Sequence, residues 1–180
     1  MTTREMMYVA LFAAIICVLG LLPPIPIPFS PVPITAQTLG VMLVGGLLGA
    51  RLGAYSLGIF ILLVAVGAPV LSGGRGGFSV LTGPSAGYIW SWPIAAFVIG
   101  LLTEKVWNKL SLWKSFVINI LGGVLLIYAV GISVLAGITD TTFKKAAISA
   151  LLYIPGDLIK CFIAAYIAVK MKALHPLIKR

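Results

Sequence analysis

The chain has 180 residues, of which 61% are hydrophobic and only 9% are charged, and its formal net charge is +9. With a mean hydropathy of +1.14, it is far more apolar than a water-soluble fold with a charged exterior. The composition therefore indicates an integral membrane protein. Because a spanning helix needs about 20 apolar residues, the chain has room for about six spans and no soluble domain.

Several classes of function lack the residues that they require. The Lys and Arg residues lie singly or in pairs between apolar runs, which excludes a nucleic-acid-binding face. Cys17 and Cys161 lie in apolar runs and the single histidine, His175, lies in the basic tail, so we expect no metal site. Because the sequence has no catalytic Ser/His or paired-Asp arrangement and no nucleotide-binding loop, we also expect no enzymatic activity and no cofactor.

The first half of the chain predicts three spans. The first apolar run, residues 6–22, ends at two prolines rather than at a signal-peptide cleavage site. The next segment, residues 23–33, contains six prolines and predicts an extended, stiff loop at the membrane surface, which we name the proline loop. The following runs, 34–50 and 52–68, are rich in glycine, and we predict that they form a tight hairpin.

The second half predicts a long loop and three further spans. Residues 70–87 are polar and dense in glycine, which is typical of a flexible loop, and we name them the glycine loop. Apolar runs predict spans at 88–102, 113–137 and 146–169. The predicted fold is a single all-α membrane domain over residues 1–180, a compact bundle of six transmembrane helices. Four tryptophans lie near predicted span boundaries, where indoles prefer the membrane interface: Trp90, Trp92, Trp107 and Trp113.

The distribution of positive charge predicts the orientation of this bundle. Six spans place both termini on one side, and cytoplasmic loops carry the excess of Lys and Arg. With cytoplasmic termini, the inner cations are Arg4, Arg51, Lys105, Lys109, Lys114, Lys170, Lys172, Lys179 and Arg180, against the outer cations Arg75, Lys144 and Lys145. We therefore predict that the proline loop, the glycine loop and the loop around Asp140 face outward.

An acid and a base lie three residues apart inside the last apolar run. Asp157 and Lys160 project from one helical face and can pair, whereas either charge alone is costly in hydrocarbon. Pro155 and Gly156 precede them and are expected to break or start a helix. The pair either fixes helix packing or contributes to a ligand site. Because a buried ion pair is a weak source of stability, we favour the ligand site.

Three further residues are candidate ligand contacts. Arg75 lies among four glycines, which let the backbone approach a ligand whose carboxylate the guanidinium would bind bidentately. The alternative for Arg75 is a solvated loop cation. Tyr88 either stacks on a ligand or anchors the chain at the interface. Gln37, near the start of the second predicted span, either caps a helix or contacts a ligand.

Small residues recur four positions apart on several predicted spans. Such residues let helices approach closely in lipid, where packing drives helix association. Most of these pairs are expected to serve internal packing, and any that face lipid would dock another membrane subunit. The pairs are Ala10 with Ala14, Gly45 with Gly49 and then Gly53, and Ala164 with Ala168.

Together these motifs resemble the BioY family, the biotin-specific substrate-capture subunits (S components) of energy-coupling factor (ECF) transporters. The resemblance covers essentially the whole chain. It rests on Pro33-Ile34-Thr35-Ala36-Gln37-Thr38 after the proline loop, on residues 67–70, on the glycine loop from residue 73 into Tyr88, and on residues 155–160.

The resemblance implies a six-helix bundle that binds biotin with high affinity near the outer surface. Asp157 would accept a ureido N–H group, and Lys160 would donate to the ureido carbonyl or to a polar tail. Arg75 would bind the valerate carboxylate, and Tyr88 with Trp90 would cover the ring system. Gln37 completes the set of candidate contacts.

The family also implies partners in a prokaryotic cell membrane. The Ala10 and Ala14 pair would dock onto a transmembrane coupling subunit that carries two ABC-type ATPases, and only those ATPases would use ATP. Whether the chain acts alone, as a homo-oligomer or only with this module stays open. Two other functions also stay open, namely an S component for thiamine or riboflavin and a structural membrane subunit without a ligand. The former predicts more aromatic residues in the glycine loop than Phe78 alone.

Overall fold

The computed structural model describes residues 1–27, 30–139 and 141–174 of the chain. Two residues of the proline loop, Pro28 and Phe29, lie outside these ranges. The predicted outer loop residue Asp140 and the tail from His175, with Lys179 and Arg180, lie outside them as well. The predictions made for these positions therefore lie outside the described residues and stay predictions.

Helices dominate the described part of the chain and lie over each of the six predicted spans, which confirms the all-α fold class. The α-helices are α1 (Thr3–Gly20), α2 (Gln37–Leu48), α3 (Ala50–Ala65), α4 (Ala86–Lys105), α5 (Leu112–Asn119), α6 (Ile127–Ile138), α7 (Phe143–Leu151) and α8 (Ile154–Leu174). Two short strands, β1 (Ile25–Ile27) and β2 (Ser30–Ile34), pair antiparallel. Short 3₁₀ turns occupy Phe78–Leu81 and Trp107–Lys109, and a π-helical segment, Ile120–Leu126, joins α5 to α6.

The helices differ in whether their length suffices to cross a membrane. Three apolar helical stretches among the described residues are long enough: α1, α4 and the continuous stretch from Leu112 to Ile138. The predicted span 146–169 is instead two helices, α7 and α8, which are bent by 56° at their junction. Taken together, the two helices are long and apolar enough for a fourth span. Pro155 lies in the first turn of α8, where its missing N–H costs no helical hydrogen bond, so the predicted helix start is confirmed.

The second helix, α2, lies in the middle of the bundle and packs against α1, α3, α4 and α8. Nine of its twelve residues are buried. Glycines permit this close packing, because a Cβ atom at Gly45 would lie 2.7 Å from the Ala96 carbonyl oxygen of α4. The chain turns between α2 and α3 at Gly49 alone, which adopts a φ of 82°. The predicted tight hairpin of these two helices is therefore confirmed.

The small-residue pairs fall into two groups. Ala164 and Ala168 are buried in α8, and a Cβ atom at Gly46 would lie 3.5 Å from that of Ala168. These residues serve internal packing. Ala10 and Ala14, in contrast, are exposed on the outer face of α1, whose opposite face is buried against α2 and α3.

The two predicted loops lie at the same end of the bundle. The proline loop is extended, as predicted, and its strands β1 and β2 pair through Ile25 with Ile34 and Ile27 with Ser30. The glycine loop closes on itself through a bridge between Leu71 and Arg75. Its Gly73, where φ is 80°, faces the proline loop, since a Cβ atom there would lie 3.4 Å from Pro24 Cγ. The two loops thus meet at one end of the bundle.

Candidate ligand-binding site

A cavity lies at this end of the bundle. Its walls come from β2, α2, the glycine loop, α4, α6 and α8. The empty space, including the open mouth, is about 580 Å³. The polar and aromatic lining residues are Thr35, Gln37, Thr38, Arg75, Ser85, Tyr88, Trp92, Tyr128, Tyr153, Asp157 and Lys160. The cavity therefore brings together five of the six residues predicted as ligand contacts.

Asp157 and Lys160 form the polar centre of the cavity. Lys160 Nζ lies 2.8 Å from Asp157 Oδ1, which confirms the predicted pairing. The same ammonium group donates to the Thr35 carbonyl oxygen at 2.7 Å and to Thr38 Oγ1 at 3.0 Å, so all three of its N–H groups are engaged. Asp157 lies in the first turn of α8, where the helix dipole favours a carboxylate. The pair therefore joins the start of α8 to the start of α2.

Tyr128 is a partner of this pair that the sequence analysis missed. Its hydroxyl group donates to Asp157 Oδ2 at 2.5 Å, and its ring lies edge-on to that of Tyr153 with centroids 6.2 Å apart. An aromatic residue within an apolar run carries no periodic signal of which way it faces. The one available hint is that a buried phenolic hydroxyl needs a hydrogen-bond partner.

Arg75 reaches the cavity from the glycine loop. Its Nε donates to the Ser72 carbonyl oxygen at 3.2 Å, and no hydrogen bond or ion pair with the described residues engages its two terminal nitrogens. The described charges that line the cavity are the cations Arg75 and Lys160 and the anion Asp157. Two positive charges and one negative charge leave a net charge of +1, which favours a ligand with one negative charge.

Tyr88 and Trp92 line the cavity with polar atoms that lack a hydrogen-bond partner among the described residues. The hydroxyl of Tyr88 and Nε1 of Trp92 are buried, and neither is hydrogen-bonded to any described residue. Buried polar atoms are nearly always paired, so a ligand acceptor would satisfy both donors.

Trp90 does not line the cavity, in contrast to the prediction. It faces outward from α4, is 49% exposed, and donates through Nε1 to the Leu81 carbonyl oxygen at 3.0 Å. Two residues further along the helix, Trp92 points inward instead of lying at an interface.

Gln37 lines the cavity but its amide group is fully used within the protein. Nε2 donates to the carbonyl oxygens of Ile16 at 3.2 Å and Val70 at 3.0 Å. Oε1 accepts from the backbone N–H of Ser72 at 3.1 Å and from its hydroxyl at 3.3 Å. Gln37 begins α2 without capping it, so the capping alternative is wrong, and contact with a ligand stays a prediction. Gln37 instead joins α1 and the glycine loop to α2.

Tyr153 joins the proline loop to the junction of α7 and α8. Its hydroxyl donates to the Val32 carbonyl oxygen at 2.7 Å and lies 2.6 Å from Ser30 Oγ. Because Tyr153 comes four residues before Asp157, the loop and the charged pair are held by one short segment.

Among the described residues, no group of His, Cys, Asp or Glu side chains is arranged to hold a metal ion.

The chain is similar to known membrane proteins over nearly its whole length. Residues 1–177 match the model of the BioY family. The chain is 46% identical to the biotin transporter BioY of Rhizobium etli over 99% of this chain and 98% of that protein. It is 45% identical to the probable biotin transporter BioY of Bacillus subtilis over 93% of this chain and 89% of that protein.

The fold is also similar to a solved structure. A crystal structure of the S-component for biotin from an ECF-type ABC transporter matches with a TM-score of 0.93 and 37% sequence identity. The match covers 98% of this chain and 97% of that chain. From the family model and these relatives together, we conclude that the chain belongs to the BioY family.

Proposed function

We propose that this protein is the biotin-binding S component of an ECF transporter, with its whole chain acting as one binding domain. The observation that carries the proposal is the cavity in which the buried Asp157 and Lys160 pair faces the same space as Arg75. The names of the most similar relatives and of the similar solved structure support biotin as the ligand.

The polar groups of the cavity suit both ends of biotin. The ureido ring offers two N–H donors and one carbonyl acceptor, and the valerate tail ends in a carboxylate. Asp157 accepts a ureido N–H in this proposal, and Arg75 binds the carboxylate through the terminal nitrogens that have no described partner. The net charge of the lining disfavours thiamine, whose thiazolium ring is a cation, and no observation favours riboflavin.

The carbonyl of the ureido ring has three candidate donors in the cavity. Lys160 already makes three hydrogen bonds, so it would have to exchange one of them for the ligand. The hydroxyl of Tyr88 and Nε1 of Trp92 have no described partner and lose nothing by donating to the carbonyl. We therefore assign the carbonyl to Tyr88 and Trp92 and give Lys160 the role of fixing Asp157. The resemblance had instead implied Lys160 as the donor to the carbonyl and Tyr88 with Trp90 as the cover of the ring system.

The distribution of charge supports an orientation with cytoplasmic termini. Arg4, Arg51, Lys105, Lys114 and Lys170 flank helix ends remote from the two loops, and cytoplasmic surfaces carry the excess of positive residues. The cavity then faces outward, where biotin is captured. The loaded bundle is reoriented by a transmembrane coupling subunit with two ABC-type ATPases, which supply the ATP hydrolysis.

The test is a calorimetric titration of the detergent-purified protein after unfolding and refolding to remove bound vitamin. We expect tight, stoichiometric heat with biotin and none with thiamine or riboflavin. Folded protein that binds one of the other two vitamins but not biotin would overturn the ligand. Folded protein that binds none of the three would overturn the function.

A further inference from the structure

The hydroxyl of Tyr128 and the carboxylate of Asp157 are the closest polar contact between α6 and α8. The distance of 2.5 Å is short, as expected for a hydrogen bond to an ionised acceptor. Asp157 Oδ1 receives the other two donors, Lys160 Nζ at 2.8 Å and Thr38 Oγ1 at 3.5 Å. A carboxylate has about four lone-pair positions, so three protein donors leave about one for a ligand.

The π-helical segment that precedes Tyr128 sets the direction in which this side chain points. Asn119 and Leu135 are both buried, although they lie sixteen positions apart. On an uninterrupted α-helix two such residues would face about 160° apart, because each residue turns the helix by about 100°. A π-helical turn takes up more residues than an α-helical turn. The segment Ile120–Leu126 therefore turns α6 back toward the bundle and directs Tyr128 into the cavity.

Glycines fix this segment and the helix after it against their neighbours. A Cβ atom at Gly123 would lie 2.6 Å from Met42 Cε of α2, and one at Gly122 would collide with Ile99 of α4. One turn beyond Tyr128, a Cβ atom at Gly131 would collide with the Tyr88 ring. The rotation of α6 thus sets the place of the Tyr128 hydroxyl and of the Tyr88 ring together.

We infer that Tyr128 is a positioning residue of the ligand site, which holds the Asp157 carboxylate so that its remaining acceptor position faces a ligand N–H group. This inference rests on the proposed function, since the N–H group belongs to the proposed ureido ring. Lys160 and Thr38 hold only one oxygen of the carboxylate. Without Tyr128 the carboxylate is free to turn about its terminal bond, and the acceptor position is no longer fixed.

Two measurements on Tyr128→Phe test the inference, with Tyr55→Phe as the control. Tyr55 is 52% exposed on α3 and does not line the cavity. The first measurement is the infrared carboxylate absorption of the ligand-free protein. Because the chain has only four Asp and Glu residues, the Asp157 band is identified as the band that Asp157→Asn removes. We expect that band to shift in Tyr128→Phe and to stay unchanged in Tyr55→Phe.

The second measurement is the affinity for biotin. Loss of a hydrogen bond to a charged group predicts an affinity at least about tenfold weaker in Tyr128→Phe, with Tyr55→Phe binding as the wild type does. A shifted band with unchanged affinity would overturn the inference, as would a weaker affinity with an unshifted band. A wild-type protein that binds no biotin would instead overturn the proposed function, and the infrared result would still report on the contact between Tyr128 and Asp157.

Discussion

At the scale of single residues, Arg75 is the cation of the cavity that the protein leaves available. Lys160 is compensated by Asp157 and two oxygen acceptors, whereas Arg75 uses only Nε, toward a backbone carbonyl. A guanidinium group with two unengaged nitrogens matches the planar geometry of a carboxylate. We therefore expect Arg75 to determine whether the ligand must carry a free carboxylate.

We predict that Arg75→Ala weakens biotin binding by about 10- to 100-fold, the cost of one charged hydrogen-bonding interaction. The affinity for the uncharged amide of biotin should change little, since it lacks the carboxylate. Titration of both ligands into both proteins measures this difference. Lys144→Ala removes an exposed cation from outside the cavity and is the matched control. Equal losses for biotin and its amide would contradict the assignment of Arg75.

Gln37→Leu is predicted to lower the free energy of unfolding by about 2–4 kcal/mol. The leucine leaves the Ser72 N–H and the carbonyl oxygens of Ile16 and Val70 without their partner, and each buried unpaired group is costly. Denaturant titration in detergent micelles measures the change. Ser133→Ala is the control, because Ser133 is exposed and its hydroxyl only returns to its own helix. A loss as small as that of the control would contradict the role of Gln37.

The charged residues of the site and Tyr88 were predictable from the sequence, whereas Trp92 and Tyr128 were not. Asp157 and Lys160 stand out because charges in an apolar run need an internal partner. Trp92 and Tyr128 are aromatic residues among other apolar residues, and their direction depends on the rotation of α4 and α6 in the bundle. That rotation depends on packing between distant segments and, for α6, on the π-helical segment.

At the scale of helices, glycines set how closely α2, α3 and α4 approach one another. The turn between α2 and α3 lies directly against Gly100 of α4, where a Cβ atom would collide with the backbone of Gly49 and Ala50. Glu104, one turn further along α4, accepts the backbone N–H of Ala50 at 2.8 Å. Because this N–H begins α3 and has no helical partner, Glu104 caps that helix from outside.

We predict that Gly100→Ala lowers the midpoint of thermal unfolding and that Gly58→Ala does not. Both glycines are helical, but a Cβ atom at Gly58 meets nothing within 4 Å. At Gly100 the added methyl group forces the backbone of the turn away, and such overpacking costs about 1–3 kcal/mol. Thermal unfolding of the two variants in the same detergent compares them. An equal effect of both substitutions would contradict the close approach at Gly100.

The positions of the helices followed from the apolar runs, and the start of α8 near Pro155 followed from proline chemistry. The glycine-rich hairpin was likewise predictable from turn chemistry. The 56° angle between α7 and α8 was not, because it depends on how the two helices pack against the rest of the bundle. The pairing of β1 with β2 was also not predicted. Proline cannot donate a hydrogen bond to a neighbouring strand, so a proline-rich sequence argues against a paired strand.

At the scale of the whole molecule, the bundle has a polar cavity at one end and exposed small residues on the outer face of α1. The cavity lies beneath the proline and glycine loops, and Ala10 and Ala14 lie on a helix that contributes no residue to its lining. We therefore expect that mutations can separate ligand capture from the docking of a partner on α1. Small exposed residues let another membrane helix approach closely.

We predict that Ala10→Trp and Ala14→Trp abolish copurification with the coupling subunit and ATP-driven biotin uptake. Biotin binding to the isolated variants should stay within about twofold of the wild type, because the bulky side chains lie outside the cavity. Ile148→Trp is the control, since Ile148 is exposed on α7, away from α1. Normal copurification of both alanine variants would contradict docking on this face of α1.

The most direct test of the account is the biotin titration of Asp157→Asn, which keeps the shape of the side chain and removes its charge. We predict that tight binding collapses, because the amide does not replace a carboxylate that accepts from Lys160, Thr38 and Tyr128. Lys144→Ala should bind biotin as the wild type does. A folded Asp157→Asn variant with wild-type affinity would show that the buried pair is structural and that biotin, if bound, lies elsewhere.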